Sequence, residues 1–352
     1  MTKFFLIVLI VMTTVFIIGG CLPVNYSPKN LTRHRGGFFE TFDTYVQIVM
    51  YTETQDEFDE HFKVFQQVFE RYHILFDIFN SYPGVNNIRT INDNAGVTPV
   101  VVDPAIIDLL VYSKQAYFYT GGTLNIALGP VLSIWHQYRM HNISNPQSMV
   151  VPSYYVLREA ARFIDIRDLI INEEAGTVFL ARKGMLLDVG ATAKAFTVDR
   201  VANILRERGV TSAIIDAGGD IVAIGESMTG GGRPWNIGIT DPETGEMLDA
   251  VRVRDMAAAT SGKHHRTFTV DGVSYNHIID PVTLMPAVNF AAVSVIHESA
   301  IIAEMLSTTL FILSLDEGYE LAQTLGAAVI WLFDDGDVIF NEKYREISQN
   351  FY

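Results

Sequence analysis

Cys21 is the single cysteine in this 352-residue chain, and it closes the only long apolar run. The run spans Phe4 to Ile18, follows the basic Lys3 and ends in Gly19-Gly20 directly before the cysteine. A basic start, an apolar stretch and small residues before a cut are the parts of an export signal. A lone cysteine just past the small residues makes it a bacterial lipobox. The order predicts a signal peptide over 1–20, cleavage before Cys21 and a lipid on its sulfur. An uncleaved spanning helix is the other reading, but the run is short for a span of about 20 residues. Residues 21–36 mix Pro, Asn, Ser and basic side chains and read as a lipidated tether. The body, 37–352, then has no thiol, so no disulfide can hold it together and packing must. With 49% hydrophobic residues it can bury a large core, in one large domain or two closely joined lobes.

The formal charge is −15. That disfavours nucleic acid as a partner, since phosphates want a basic face. It also disfavours attachment to anionic lipid by charge, so the lipid on Cys21 would hold the protein to a membrane. The expected place is a bacterial membrane, outside the cytoplasm. No second spanning segment and no fixed-period repeat occurs.

Along the body, Thr44 to Tyr51 reads as a strand. Asp56 to Phe79 reads as a helix with Phe58, Phe62, Phe65, Phe69 and Leu75 near one face. Pro104 to Tyr119 is a helix capped by Asp103, and Pro152 to Phe163 is helical. Thr120 to Trp135 is glycine-rich and less regular. Strand candidates are Thr177–Leu180, Met185–Val189, Ser212–Asp216, Ile221–Gly225, Trp235–Thr240, Ala250–Val253, Thr267–Val270, Val293–Ile296 and Ala328–Phe333. Ala193 to Arg208 is an amphipathic helix stopped by Gly209, and Ser299 to Leu315 a buried helix. Helices and strands mix without strict alternation, which argues for α+β with antiparallel or mixed sheets.

Four clusters carry chemistry. In Asp188-Val189-Gly190-Ala191-Thr192-Ala193-Lys194 a carboxylate, a small-residue turn and a lysine meet at a helix start. Backbone amides and a lysine there can hold a phosphate, although an ordinary strand–helix joint reads the same way. Neither GxGxxG nor a Walker sequence is present. Asp216-Ala217-Gly218-Gly219-Asp220 lets the backbone turn sharply or approach a ligand; a plain β-turn is the alternative. The third cluster is Thr260-Ser261-Gly262 with His277-Ile278-Ile279-Asp280-Pro281, where a histidine near a carboxylate could be a general base or simply structural. In the fourth, Glu304 and Thr308 share one face of the apolar helix. Their oxygens suit a hard cation such as Mg²⁺, or Glu304 sits at the solvent edge and Thr308 bonds back to the backbone.

In this order, the clusters resemble the FAD:protein FMN transferases, the ApbE-type flavin-trafficking lipoproteins. The likeness runs from about Phe42 to Phe333 and also takes in Phe42-Asp43-Thr44-Tyr45, Ser81-Tyr82, Gly122-Thr123-Leu124-Asn125, Gly129-Pro130-Val131 and Trp135. The resemblance implies an α+β fold with FAD in a cleft between two lobes. It implies flavin contacts from Phe42, Tyr82, Thr123, Leu124, Asn125, Asp188, Lys194 and Ile278. It implies Mg²⁺ on the Ala191 carbonyl and the Glu304 and Thr308 side chains, with His277 as base. The implied reaction moves FMN from FAD to a threonine hydroxyl of an exported protein and releases AMP. Water in place of the hydroxyl would give FMN and AMP, and a lipid-anchored flavin store would use the same cleft. Departures from the family pattern are Glu304 for Asp, and Ala195, Asp43 and Leu284 for glycines, with Leu124-Asn125 for Phe-Asp. No Asp-x-x-(Ser/Thr)-Gly-Ala-Thr acceptor pattern lies in the chain itself.

Overall fold

The computed structural model describes residues 30–264 and 266–351. The signal segment and Cys21 lie outside the described residues. The chain opens with the hairpin β1 (Thr32–Thr41) and β2 (Thr44–Thr52), then α1 (Gln55–Phe76) and α2 (Ile88–Asp93). A short β3 (Val100–Val101) precedes α3 (Pro104–Tyr119), α4 (Gly129–Ser144) and α5 (Tyr154–Ala160). β4 (Leu169–Asn172) and β5 (Thr177–Leu180) lead into α6 (Ala193–Glu207). Next come β6 (Ser212–Ala217), β7 (Asp220–Gly225), β8 (Trp235–Thr240), β9 (Met247–Val253) and β10 (Ala257–Gly262). β11 (Phe268–Val270), β12 (Val273–Tyr275) and β13 (Ala292–His297) follow. The chain closes with α7 (Ala300–Ile312), α8 (Leu315–Thr324), β14 (Ala328–Leu332), β15 (Val338–Phe340) and α9 (Glu342–Ile347).

Among the described residues the main sheet has eight strands, ordered β1-β2-β6-β7-β10-β13-β14-β15, with every pairing antiparallel. Strand side chains alternate between faces. Val46, Ile48 and Met50 of β2 therefore point to one face, and Val49 and Tyr51 to the other. The first face packs under α1, α6, α7 and α8; the second is covered by the β8–β9 hairpin and α9. With both faces covered, β14 (AVIWL) is buried at every position. A second core lies under α2, α3 and the small sheet β3-β5-β4. Two helices bridge the cores. α1 gives Phe58, Phe65 and Phe69 to the first and Tyr72, Leu75 and Phe76 to the second. α6 gives Val198, Val201 and Leu205 to the first and Ala193 and Phe196 to the second. The expected mixture of helices with antiparallel sheets is what is found.

Several boundaries differ from the sequence reading, each for a local reason. Residues 32–36, read as the end of a tether, already pair with β2 in the first strand. α1 stops at Phe76 because Asp77 turns its carboxylate onto the Phe79 and Asn80 amides. Met185–Val189 is extended but joins no sheet. Its Leu187 amide and carbonyl are taken by the buried Asn92 side chain, at 2.7 and 2.9 Å, and its Asp188 amide by Ile126 O at 2.8 Å. The glycine-rich stretch becomes helical from Gly129, where Pro130 at the helix start needs no amide partner. α7 ends at Ile312, and Ser314 and Glu317 form a reciprocal capping box that starts α8. Among the described residues no helix is long and apolar enough to cross a membrane.

Candidate functional site

Thr192 and Ala193 donate their amides to Val189 O, at 3.0 and 2.8 Å, closing the turn that opens α6. Ala193 and Phe196 face the second core, which leaves Lys194 to turn the other way. Its ammonium sits 3.2 Å from Asp220 Oδ2 and donates to Gly218 O at 3.2 Å. Both partners belong to the tight β6–β7 turn. Gly218 holds φ +60°, and a Cβ there would fall 2.0 Å from Thr44 Oγ1, so only glycine lets this turn seat on the β1–β2 turn. Asp216 fixes the turn by accepting from Gly219 N at 2.9 Å and Gln47 Nε2 at 3.1 Å.

Glu304 enters the same cluster from α7. Burial first, and then the Asp220 carboxylate facing it, push its pKa well up, against the opposing pull of Lys194. Burial would lower the Lys194 pKa, but Asp220, Glu304 and Asp216 outweigh it and keep the ammonium charged. One turn along α7, Thr308 Oγ1 lies 3.2 Å from Ser261 Oγ, itself 2.9 Å from Ser307 Oγ. Ser307 Oγ donates to Glu304 O at 3.0 Å. The three chemical motifs around Lys194, Asp220 and Glu304–Thr308, and the β10 serine, are thus one constellation.

The other expected positions lie on several separate elements. Asp188 accepts from Gly190 N at 2.9 Å; burial raises its pKa, while that amide, Arg266 and His136 pull the other way. The bond from its amide to Ile126 O ties it to the Thr123–Asn125 loop. In that loop Leu124 is buried in the first core, Thr123 is half-buried and Asn125 caps the next turn through Ala127 N at 2.9 Å. Phe42 packs against both cores, edge-on to Phe69 and His73. It and Asp43 both hold positive φ, 53° and 52°, between the paired residues Thr41 and Thr44. That tight turn normally takes Asn-Gly. Tyr82 donates to Asp77 Oδ2 at 2.8 Å, and burial together with that bond raises its pKa to about 12. Ile278 is buried in the first core, and its amide donates to Asn276 Oδ1 at 2.9 Å. His277, between these two anchored residues, is exposed on a bend. Ala191 is half-buried in the turn before Lys194 and packs against the first core.

The cluster suits a hard divalent cation. Asp220 is 3% exposed, and its Oδ2 is buried against the Lys194 ammonium at 3.2 Å. Two facing carboxyls share a single ammonium, and the neighbouring donors are hydroxyls and carbonyls, all oxygen. Among the described residues no three His, Cys, Asp or Glu side chains group as a metal site. A cation here would therefore lean on hydroxyl and carbonyl oxygens as well. Sequence reasoning flagged Asp220 and Ser261 in motifs but gave them no role; a charge balance over Lys194 and Glu304 would have singled out Asp220. His136, Arg139 and Arg266 carried no motif at all.

The sequence profile of the ApbE family matches residues 42–331. The FAD:protein FMN transferase of Treponema pallidum is 35% identical over 266 residues, 70% of this chain and 71% of that protein. One from Klebsiella pneumoniae is 29% identical over 288 residues, 81% and 83% of the two chains. The crystal structure of the ApbE protein of Thermotoga maritima superposes with a TM-score of 0.79 at 25% identity, covering 90% of this chain and 99% of that one. The apo flavinyl transferase ApbE of Pseudomonas stutzeri, at 21% identity and a TM-score of 0.76, shares the fold. A profile match from the β1–β2 turn to β14, joined to these relatives, places the chain in the ApbE family.

Proposed function

We propose that this protein transfers the FMN moiety of FAD to a threonine hydroxyl of an exported protein. The observation that carries the reading is the convergence of Lys194, Asp220 and Glu304 beside the Ser261–Ser307–Thr308 hydroxyls. The relatives named FAD:protein FMN transferase support it. Lys194 is held charged on a fixed turn, ready for one side of a diphosphate. Glu304, Thr308 and the Ala191 carbonyl would hold Mg²⁺, with Asp220 behind them. When bound, the ion neutralises charge that grows on the leaving oxygen.

In the reaction the threonine Oγ forms a bond to the FMN phosphorus and the phosphorus–oxygen bond to AMP breaks. AMP leaves with the electron pair, and His277 takes the hydroxyl proton. Phe42, Tyr82, Thr123, Leu124, Asn125, Asp188 and Ile278 line the flavin side. The buried anchors Asn276 and Ile278 on either side of His277 fix the backbone at that position. With water in place of threonine the same residues would yield FMN and AMP. We also propose that a lipid on Cys21 anchors the protein to a bacterial membrane, outside the cytoplasm.

The test is incubation of the full chain, in mild detergent, with FAD, Mg²⁺ and a threonine peptide. Covalently flavinylated peptide is the expected product. Free FMN and AMP alone would make it a hydrolase, and FAD bound but unchanged would make it a store; either result rejects the transfer reading. His277→Ala should spare FAD affinity and lose turnover, whereas Thr308→Ala should weaken metal dependence and turnover together. Glu304 is one methylene longer than the family's Asp, and Mg²⁺ demands near-ideal octahedral geometry. Glu304→Asp should therefore change the concentration of Mg²⁺ needed for half-activity.

A further inference from the structure

Near Asp188 lies a group of cations that the proposed chemistry does not use. Arg139, on α4, is half-buried, and among the described residues it has no carboxylate partner. Its Nη2 is 3.2 Å from His136 Nδ1, its Nη1 donates to Arg266 O at 3.4 Å, and its Nε is buried without a partner. Arg266 is exposed, and among the described residues its ion-pair contact is a loose one, 3.9 Å from the exposed Asp43. The two guanidiniums are close enough for each to act on the other; burial and Arg266 both push the Arg139 pKa down. The His136 ring lies 5.6 Å from that of Phe79, which is 60% exposed. In a chain of net charge −15, this is an under-neutralised basic patch beside an exposed aromatic ring.

The patch is separate from the Lys194 cluster. The charges acting on Lys194 are Asp220, Glu304 and Asp216, whereas those acting on Asp188 are Arg266 and His136. With a diphosphate beside Lys194, Arg139 would still have no carboxylate partner among the described residues, and Arg266 would have the loose Asp43 contact and the nearby Asp188 charge. They lie at the edge of the same site, because Asp188 is tied to the Thr123–Asn125 loop and Asp43 follows Phe42. Arginine with an exposed aromatic ring is a composition enriched at protein interfaces.

We propose that Phe79, His136, Arg139 and Arg266 form the docking surface for the acceptor protein, and that they bind an acidic segment beside the threonine to be modified. The proposal rests on the transfer reading for the identity of its partner. Rim charges of this kind favour encounter and orientation, and salt screens them over about 8 Å at physiological ionic strength.

A binding measurement separates this inference from the chemistry. A labelled threonine peptide flanked by Asp and Glu, and its Asn and Gln counterpart, are titrated by fluorescence polarisation with the full chain in mild detergent, loaded with FAD. The acidic peptide should bind at least about tenfold tighter than the neutral one, and 0.5 M NaCl should erase most of that preference. Arg266→Gln alone, on an exposed residue, should reduce the preference severalfold, and with Arg139→Gln abolish it. FAD affinity, read by flavin fluorescence, should change less than about twofold. Arg266→Glu should gain binding to a Lys-flanked peptide. Equal binding of the acidic and neutral peptides by the unmodified protein would overturn the proposal. So would loss of FAD affinity in Arg266→Gln, which would assign the patch to the nucleotide. If the acidic preference holds but no peptide is flavinylated, the docking surface stands and the transfer reading fails.

Discussion

Lys194→Met removes the cation from the Asp220–Glu304 cluster while keeping most of the side chain's apolar bulk. The Lys194 side chain is 22% exposed and the Asp220 side chain 4%, with their charges 3.2 Å apart, so the pair is largely shielded from solvent. At an effective dielectric of about 20, their attraction is roughly 5 kcal/mol before desolvation is counted. Breaking a buried pair from one side costs about 3–5 kcal/mol, because the other charge stays behind. Here the remainder can relax: the Glu304 carboxyl is already pushed toward its neutral form and faces Asp220. A proton shared by the two carboxyls would replace part of the missing charge. We therefore expect a loss of about 3 kcal/mol at pH 8, shrinking by at least about 1 kcal/mol at pH 5.5. The sign follows from linkage. A carboxyl whose folded pKa is raised above 4.5 binds more proton folded than unfolded, so its contribution is complete at low pH and lost as pH rises through the folded value. Urea unfolding in EDTA at the two pH values reads both numbers. Adding Asp220→Asn should restore much of the stability at pH 8, because the stranded charge goes with it. A Lys194→Met protein within about 0.5 kcal/mol of the parent at pH 8, or a loss equal at both pH values, would refute the argument.

Three other perturbations test separate parts of the fold. Asp249 is fully buried and accepts from Tyr344 Oη, Ser348 Oγ and the amides of Ala250, Gln349 and Asn350. Asp249→Ala should cost at least about 3 kcal/mol in urea unfolding and release the C-terminal segment to hydrogen exchange. Leu284 is 5% exposed yet holds φ +63°. Glycine there loses the buried side chain but regains about 1–2 kcal/mol of backbone strain, whereas alanine loses the side chain and keeps the strain. Leu284→Gly should accordingly unfold at a higher urea concentration than Leu284→Ala, against the usual order. Gly218→Ala should weaken FAD binding in a fluorescence titration, since the new Cβ collides with Thr44 Oγ1 and displaces the carbonyl that holds Lys194. Adding Thr44→Ala should recover part of it.

The secondary structure was legible where the chain states it locally. Asp103-Pro104 caps α3 as read, and Gly209, at φ +90°, ends α6. Where a distant side chain stood in for a strand, the reading failed. Met185–Val189 has strand-like residues, but Asn92 fills its hydrogen bonds from 95 positions away, and no local pattern announces that. The Ser314–Glu317 capping box is written in the sequence, but it interrupts an apolar run that reads as one helix. At the site, motif order pointed to Lys194, Glu304 and Thr308, whose partners the structure then supplies. Asp220 needed three dimensions: its importance lies in facing a lysine 26 positions earlier and a glutamate on α7. Arg139 and Arg266 share no motif and meet only because α4 and the segment before β11 lie side by side.

The departures from the family pattern sort by whether the backbone or the side chain changed. Asp43 and Leu284 stand where the pattern has glycine, yet both keep positive φ, 52° and 63°. Each forces an L-residue into a conformation that costs about 1–2 kcal/mol. That cost persists only where surrounding structure dictates the turn. At Asp43 the turn sets Phe42 between the two cores and brings Thr44 against Gly218; at Leu284 the carbonyl receives the Trp135 indole at 2.9 Å. Both turns thus hold a left-handed backbone without a glycine to relieve it. Glu304 is the opposite case, an unstrained helix position whose longer side chain reaches Asp220. On the proposed function, the change at Glu304 would act on the cation, whereas those at Asp43 and Leu284 would act on the turns beside the flavin. Exchange at residue 304 should move metal dependence and leave flavin affinity alone; exchange at 43 should do the reverse.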